Sequence, residues 1–309
     1  MSTRGQELDR VVAIGGGHGL ARSLAALRQV ADHVVAIVTV ADDGGSSGRL
    51  RRDLDVLPPG DLRMAMTALA QRSRLAEVIG YRFPRGELGG HSLGNLVLVA
   101  LQDLHGGDVV AALDELSLHL GVAGRVLPCT TAPVTLHASS AAGGVSGQAA
   151  IAETARLRRV WLSPPAPAAT PAALAAIAAA ELIVLGPGSL YTSLLPNLLV
   201  PGIATALRDA PAPVVLVANL REQPGETEGM DLADHLDVLA DHAPDVRIDA
   251  LLVHEGARPS GSGQALDARQ PRLAGRGLHV HTADLLDHQD GHDPTALARA
   301  LMAIRAELR

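Results

Sequence analysis

The sequence predicts an α/β protein: a Rossmann-like, mostly parallel sheet flanked by helices, carrying a small β-rich insert. Three observations predict it. Val11-Val12-Ala13-Ile14, Val34 to Val40, Leu182-Ile183-Val184-Leu185 and Val214 to Ala218 are apolar runs of strand length without alternation, the pattern of parallel strands buried on both faces. Glycine-rich turns stand directly behind several of these runs. Between the first two, Leu20, Leu24, Leu27 and Val30 fall at helical spacing, so the unit reads strand, turn, helix, strand, a βαβ crossover.

Composition narrows the class. The 309 residues, read as a single domain over 1–309, are enough for a sizeable core. No apolar run reaches the roughly 18 residues of a membrane helix, and the polar stretch Met1 to Arg10 lacks a signal peptide's apolar segment, so a cytoplasmic protein without membrane attachment is expected. A net charge of −7 argues against general nucleic-acid binding. The single cysteine, Cys129, excludes an internal disulfide and a thiolate metal site. All 26 basic residues are arginine, which removes a P-loop lysine and any Schiff-base mechanism. Aromatic stacking partners are few, so recognition is expected through polar and backbone groups.

The first turn, Gly15-Gly16-Gly17-His18-Gly19, lets the backbone approach a ligand in front of a helix N-terminus, a place for an anion. It holds two glycines of the dinucleotide fingerprint, with Leu20 in place of the third. The second, Ala41-Asp42-Asp43-Gly44-Gly45-Ser46-Ser47-Gly48-Arg49, puts an acidic pair where nucleotide folds carry a ribose-binding carboxylate. Arg49, Arg51 and Arg52 form a patch suited to a small anionic ligand. In Pro58-Pro59-Gly60-Asp61-Leu62-Arg63 the prolines stop any regular element, Asp61 is placed to cap a helix through Leu62, Met66 and Leu69, and Arg63 falls in its first turn. Gly89-Gly90-His91-Ser92-Leu93-Gly94-Asn95 leads into an apolar helix with Ser92 as N-cap and His91 and Asn95 at its flank.

From about 125 to 165 short segments (Arg125 to Pro128, Val134 to Ala138, Ala149 to Ala152, Val160 to Leu162) read as a small antiparallel insert, with a turn at Gly143-Gly144. A proline-rich connector then enters an alanine-rich helix ending near Ala180. The third glycine turn, Gly186-Pro187-Gly188-Ser189-Leu190-Tyr191-Thr192-Ser193, offers hydroxyls to phosphate oxygens. Behind the next strand, Asn219 and Thr227 are candidates because loops at strand C-terminal ends carry ligands in open sheets. Asp231, Asp234 and His235 read as a solvated helix face, Ile248 to Val253 and Leu278 to His281 as strands, His288 and His292 as loop histidines, and Pro294 to Leu308 as a closing helix.

In their order along the chain, these motifs resemble the CofD-like superfamily, and within it the YvcK branch, the gluconeogenesis factors. The chain departs from that pattern at His18, where threonine is usual, at Met64, where asparagine is usual, and at His254 and Gly291. The resemblance implies a Rossmann-like core that binds a nucleotide, with UDP-sugars such as UDP-N-acetylglucosamine as ligands. It also implies a non-enzymatic role in cell shape and wall synthesis during growth on gluconeogenic carbon. The alternative it leaves is a CofD-type 2-phospho-L-lactate transferase acting on a deazaflavin from a nucleoside diphosphate donor, with Asp42 and Asp43 holding magnesium beside the bound nucleotide. The expected ligand contacts are Gly15, Gly16, Gly17, His18, Gly19, Asp42, Asp43, Gly44, Ser46, Ser47, Arg49, Asp61, Arg63, His91, Asn95, Gly186, Gly188, Ser189, Tyr191, Thr192, Asn219 and Thr227. The expected partners are that nucleotide, a regulatory protein and a second copy of the chain in a homo-oligomer.

Overall fold

A computed structural model describes residues 8–71, 73–141, 143–257 and 259–308. Of the polar segment Met1 to Arg10, the part through Glu7 lies outside the described residues. The strands are β1 (Leu8–Gly15), β2 (Ala31–Val38), β3 (Gly124–Pro128), β4 (Thr135–Ser140), β5 (Gly143–Ser146), β6 (Leu157–Ser163), β7 (Leu182–Leu185), β8 (Val214–Val217), β9 (Ala250–His254) and β10 (His279–Ala283). The helices before the third glycine turn are α1 (Gly17–Leu27), α2 (Gly45–Leu54), α3 (Gly60–Leu69), α4 (Arg74–Gly80), α5 (Leu93–Leu104), α6 (Val109–Leu120), α7 (Gln148–Ala152) and α8 (Pro171–Ala178). After it come a π-helical turn (Leu190–Leu194), α9 (Leu195–Leu198), α10 (Pro201–Asp209), α11 (Leu232–His242) and α12 (Pro294–Glu307).

Seven strands form one parallel sheet in the order β10-β9-β8-β7-β1-β2-β3. Val11 to Ile14 of β1 and all four residues of β7 are buried, as strands covered on both faces must be. In register, Ala13 sits between Ala36 of β2 and Val184 of β7. Helix α1 packs on α3 and α12, and α8 packs on α10. No single helix among the described residues is long and apolar enough to cross a membrane.

The β-rich insert exists, with different boundaries. Gly124–Pro128 is not part of it: this run pairs parallel with β2 and closes the main sheet at that edge. Only β5-β4-β6 form the small antiparallel sheet. Ala149 to Ala152 is helical, in α7, because alanine favours helix once Gly147, at φ 96°, has turned the chain. Asp61 is not the cap of its helix. Pro59 already has helical dihedrals (φ −83°, ψ −8°), so α3 starts earlier and Asp61 stands in its first turn. Ser92 holds the N-cap position of α5, yet its hydroxyl donates to Ile79 O (3.2 Å) instead of accepting from the helix. His235 is buried and bonded to Asp231 O (2.7 Å) rather than on a solvated face, while Asp231 and Asp234 form a capping box for α11.

Candidate functional site

The sheet has one topological switch point. From β1 the chain runs outward through β2 to β3, then returns to place β7 on the other side of β1. In open α/β sheets, ligands bind beyond the carboxyl ends of the strands at such a point. The first and third glycine turns leave β1 and β7 there, and they touch. A Cβ on Gly19 would stand 1.9 Å from Pro187 O, and one on Gly16 would stand 2.6 Å from Asp61 Oδ2 and 2.7 Å from Thr39 Cγ2. Only glycine allows these approaches. Asn197, reaching under the turn, donates Nδ2 to Gly15 O (3.1 Å). Asn219, at the end of β8, clamps Gly188, accepting from its N–H (2.7 Å) and donating to its carbonyl (2.8 Å). Gly186 packs beside Ile14 O and Ser23.

A second cluster adjoins the first through Asp61. The half-buried Asp61 turns its carboxyl inward, where it accepts the Gly17 N–H. Burial and the nearby Asp42 push its pKa up to about 7, against the pull of that N–H and of Arg63. Asp42 bends back to accept from Gly44 N (2.9 Å) and lies beside Gly60. Ser47 Oγ accepts from Gly60 N (3.1 Å), tying the start of α2 to that of α3. A polar chain crosses the cluster: Arg63 Nε donates to Asn95 Oδ1 (3.0 Å), and Asn95 Nδ2 donates to Ser46 Oγ (3.0 Å). Ser46 Oγ and His91 Nδ1 are 3.0 Å apart. Arg63 fixes the Asn95 amide with its nitrogen toward Ser46, so Ser46 Oγ accepts from Asn95 while it also bonds His91 Nδ1. Burial and the neighbouring Arg49 and Arg82 lower the His91 pKa, in keeping with a neutral ring.

Other expected contacts are committed within the protein. Asp43 Oδ1 accepts from Ala149 N (2.9 Å) and anchors the insert. Asp42 and Asp43 thus hold different backbone partners, Asp42 at the start of α2 and Asp43 at the start of α7. The hydroxyls of Ser189 and Thr192 do not point out to a ligand. Ser189 Oγ donates to the buried Glu226, Thr192 Oγ1 bonds Ser189, and Glu226 also accepts from Tyr191 N (2.8 Å). Tyr191 itself is buried edge-on to His242. Thr227 is fully buried and accepts from Gln223 N (2.8 Å) to close its own turn. Arg49 Nη2 donates to Gly89 O (2.8 Å) and Arg51 Nη2 to Thr135 Oγ1 (3.0 Å), so the arginine patch is mostly internal wiring. His18 lies exposed at the start of α1.

Residue-level reading passed over Glu226 and Asn197. The signal for Glu226 was a carboxylate inside the Pro-Gly turn that follows β8; for Asn197 none stood out. Of the departures from pattern, His254 has both ring nitrogens occupied, Nδ1 accepting from Leu285 N (3.0 Å) and Nε2 donating to Ala257 O (2.8 Å). It borders an opening of about 580 Å³ at the ends of β9 and β10, lined also by Glu255, Asp267, Arg269 and Asp284.

The family profile described as 2-phospho-L-lactate transferase CofD matches residues 11–286. The chain belongs to the CofD family. Within it, the chain is 47% identical, over 96% of its length and 91% of the relative's, to a Mycobacterium tuberculosis protein named "Putative gluconeogenesis factor". It is 40% identical to the Gluconeogenesis factor of Bacillus subtilis, over 96% and 98% of the two chains. A crystal structure of a UPF0052 family member from Bacillus halodurans superposes with a TM-score of 0.89 at 37% identity, over 96% of this chain and 100% of that one. These likenesses extend beyond the CofD core to nearly the whole chain, and the fold they share is the one described above.

Proposed function

We propose that this protein binds a nucleoside diphosphate sugar of the UDP-sugar class along the C-terminal rim of its sheet, and that binding, not turnover, is its function. The observation that carries this reading is the convergence of segments far apart in sequence on one edge. Gly19 crosses Pro187, Asp61 reaches Gly17, and Asn95 reaches Ser46, so glycine turns, an acid, amides and a buried arginine share one place. The names of the relatives support a role in gluconeogenic growth; control of cell shape and wall synthesis, exerted in the cytoplasm through a protein partner by a homo-oligomer, belongs to the same proposal. Calorimetry with UDP-N-acetylglucosamine, UDP-glucose, GDP and NAD tests it. Heat with a UDP-sugar is the expected result, and silence with every nucleotide removes the idea.

The family's name keeps a transferase reading in view. Against it stands Asp43, one of whose carboxylate oxygens is already engaged by the insert at Ala149 N. Incubation with a deazaflavin acceptor and an activated lactyl donor is expected to give no product. Product that disappears in Asp43→Asn would establish the transferase instead.

A further inference from the structure

The rim offers three helix starts behind glycine turns, and a carboxylate from elsewhere in the chain reaches into two of them. At α1 the Asp61 carboxylate accepts the Gly17 N–H and lies against Gly16, while the His18 and Gly19 N–H groups have no acceptor among the described residues. At the π-helical turn Glu226 takes Ser189 Oγ and the N–H groups of Tyr191 and Thr192. A ligand phosphate at either place must displace a carboxylate or sit beside its charge.

The start of α2 differs. Asp42 reaches back only as far as Gly44, at the N-cap, and Asp43 is drawn away to Ala149. The N–H groups of Gly45, Ser46 and Ser47 have no acceptor among the described residues. Beside them stands Arg63, only 8% exposed. Its guanidinium uses Nε on Asn95, and its terminal nitrogens have no acceptor among the described residues. Asn95 in turn holds Ser46, so the arginine lies one amide away from the first turn of α2. The guanidinium lies near the like-charged Arg82 and the oppositely charged Asp61, and its terminal N–H groups are open to an added acceptor. An anion placed between Arg63 and the α2 start satisfies both.

Resting on the nucleotide reading above, we propose that the ligand's phosphate is seated at the start of α2, between the Gly45 to Ser47 N–H groups and the Arg63 guanidinium. The first glycine turn, closed by Asp61, holds no phosphate and faces a hydroxyl-bearing part of the ligand. Asp42 beside the seat favours a sugar-linked diphosphate, whose phosphorus atoms carry one negative charge each, over a doubly charged monoester.

Amide NMR of the full chain titrated with inorganic pyrophosphate and with UDP-glucose locates the phosphate without any substitution. Shifts centred on Gly45 to Ser47 are expected with both probes. Shifts centred on Gly17 to Gly19, or none with pyrophosphate, overturn the seat. If UDP-glucose binds but perturbs only the first turn, the seat is wrong while the nucleotide reading stands; if pyrophosphate alone shifts Gly45 to Ser47, the seat stands and the nucleotide reading falls. In calorimetry, Arg63→Gln should weaken UDP-glucose at least tenfold, and Arg63→Lys less so. A tenfold gain in Asp61→Asn with Arg63→Gln unchanged reverses the assignment.

Discussion

Asp61 should make the protein less stable as the pH rises, and Asp61→Asn should abolish that dependence. In the folded chain the carboxyl titrates near 7, whereas in the unfolded chain it takes the ordinary carboxylate value near 4. Between those values the folded state binds more protons than the unfolded state, so stability falls as pH rises through the window. It is full below about pH 4 and has lost this contribution above about pH 7. A rise of roughly three pH units in the midpoint is worth about 4 kcal/mol. Asparagine keeps an acceptor for the Gly17 N–H and offers a donor toward Asp42 without the buried charge. The variant should therefore match the wild type near pH 4 and exceed it by up to about 4 kcal/mol at pH 8.

The comparison must be a difference, because His292 works in the opposite direction. Burial lowers its pKa to about 4, so the unfolded state takes up a proton first as pH falls through the ordinary histidine range. Its contribution is complete above about pH 6.5 and is lost as pH falls toward 4, worth about 3 kcal/mol. In the wild-type curve the two trends partly cancel. Urea unfolding of both proteins from pH 4 to pH 8 isolates Asp61, since His292 is common to both. A stability gap that stays constant with pH would refute the argument and mean that Asp61 does not ionise in this window.

Gly19→Ala should destabilise the chain by about 1–3 kcal/mol and weaken nucleotide binding, since its Cβ would fall 1.9 Å from a backbone oxygen and the first and third turns must part; thermal melts with parallel calorimetry read both, and an unchanged melt removes the crossing. Glu226→Ala should cost more than Glu226→Gln, about 2–4 kcal/mol, because it strands Ser189 and two N–H groups in a buried place, and equal melts for the two variants would contradict the internal-anion role. Burial pushes the Cys129 thiol up to about 12, so a disulfide reagent at pH 8 should label the native protein only after denaturant is added; labelling of the native protein at the rate of a free thiol would contradict its burial.

The central strands were legible because a parallel strand covered on both faces has no alternative sequence pattern: β1, β7 and β8 fall where the apolar runs fall. The insert's edge was not, because Arg125 to Pro128 reads the same whether it closes the main sheet or opens a smaller one; pairing with β2 decides it, and that is a long-range fact. Helix α2 was hidden by its glycines, which disfavour helix locally. Within it Gly48 passes so close to Asp43, five residues back, that a Cβ would stand 1.8 Å from the carbonyl oxygen, a local approach that glycine alone permits. The three glycine turns gather at one rim because each follows a strand, β1, β2 or β7, and parallel strands end on one edge.

Which anion each helix start holds was beyond local reading. A glycine turn ahead of a helix advertises unpaired N–H groups, and sequence shows the vacancy without showing what fills it. Here Glu226, Asp61 and Asp43 each answer such a vacancy from a distant part of the chain. Motif residues such as Ser189 and Thr192 therefore look like ligand donors while holding the scaffold together. The start of α2 stands apart because, beside Asp42 at its N-cap, it has near it a buried arginine whose terminal nitrogens have no acceptor among the described residues. An anion-binding motif becomes evidence for a ligand only where the protein supplies a cation in place of its own anion, and on this rim that condition singles out the Arg63 side of the cleft.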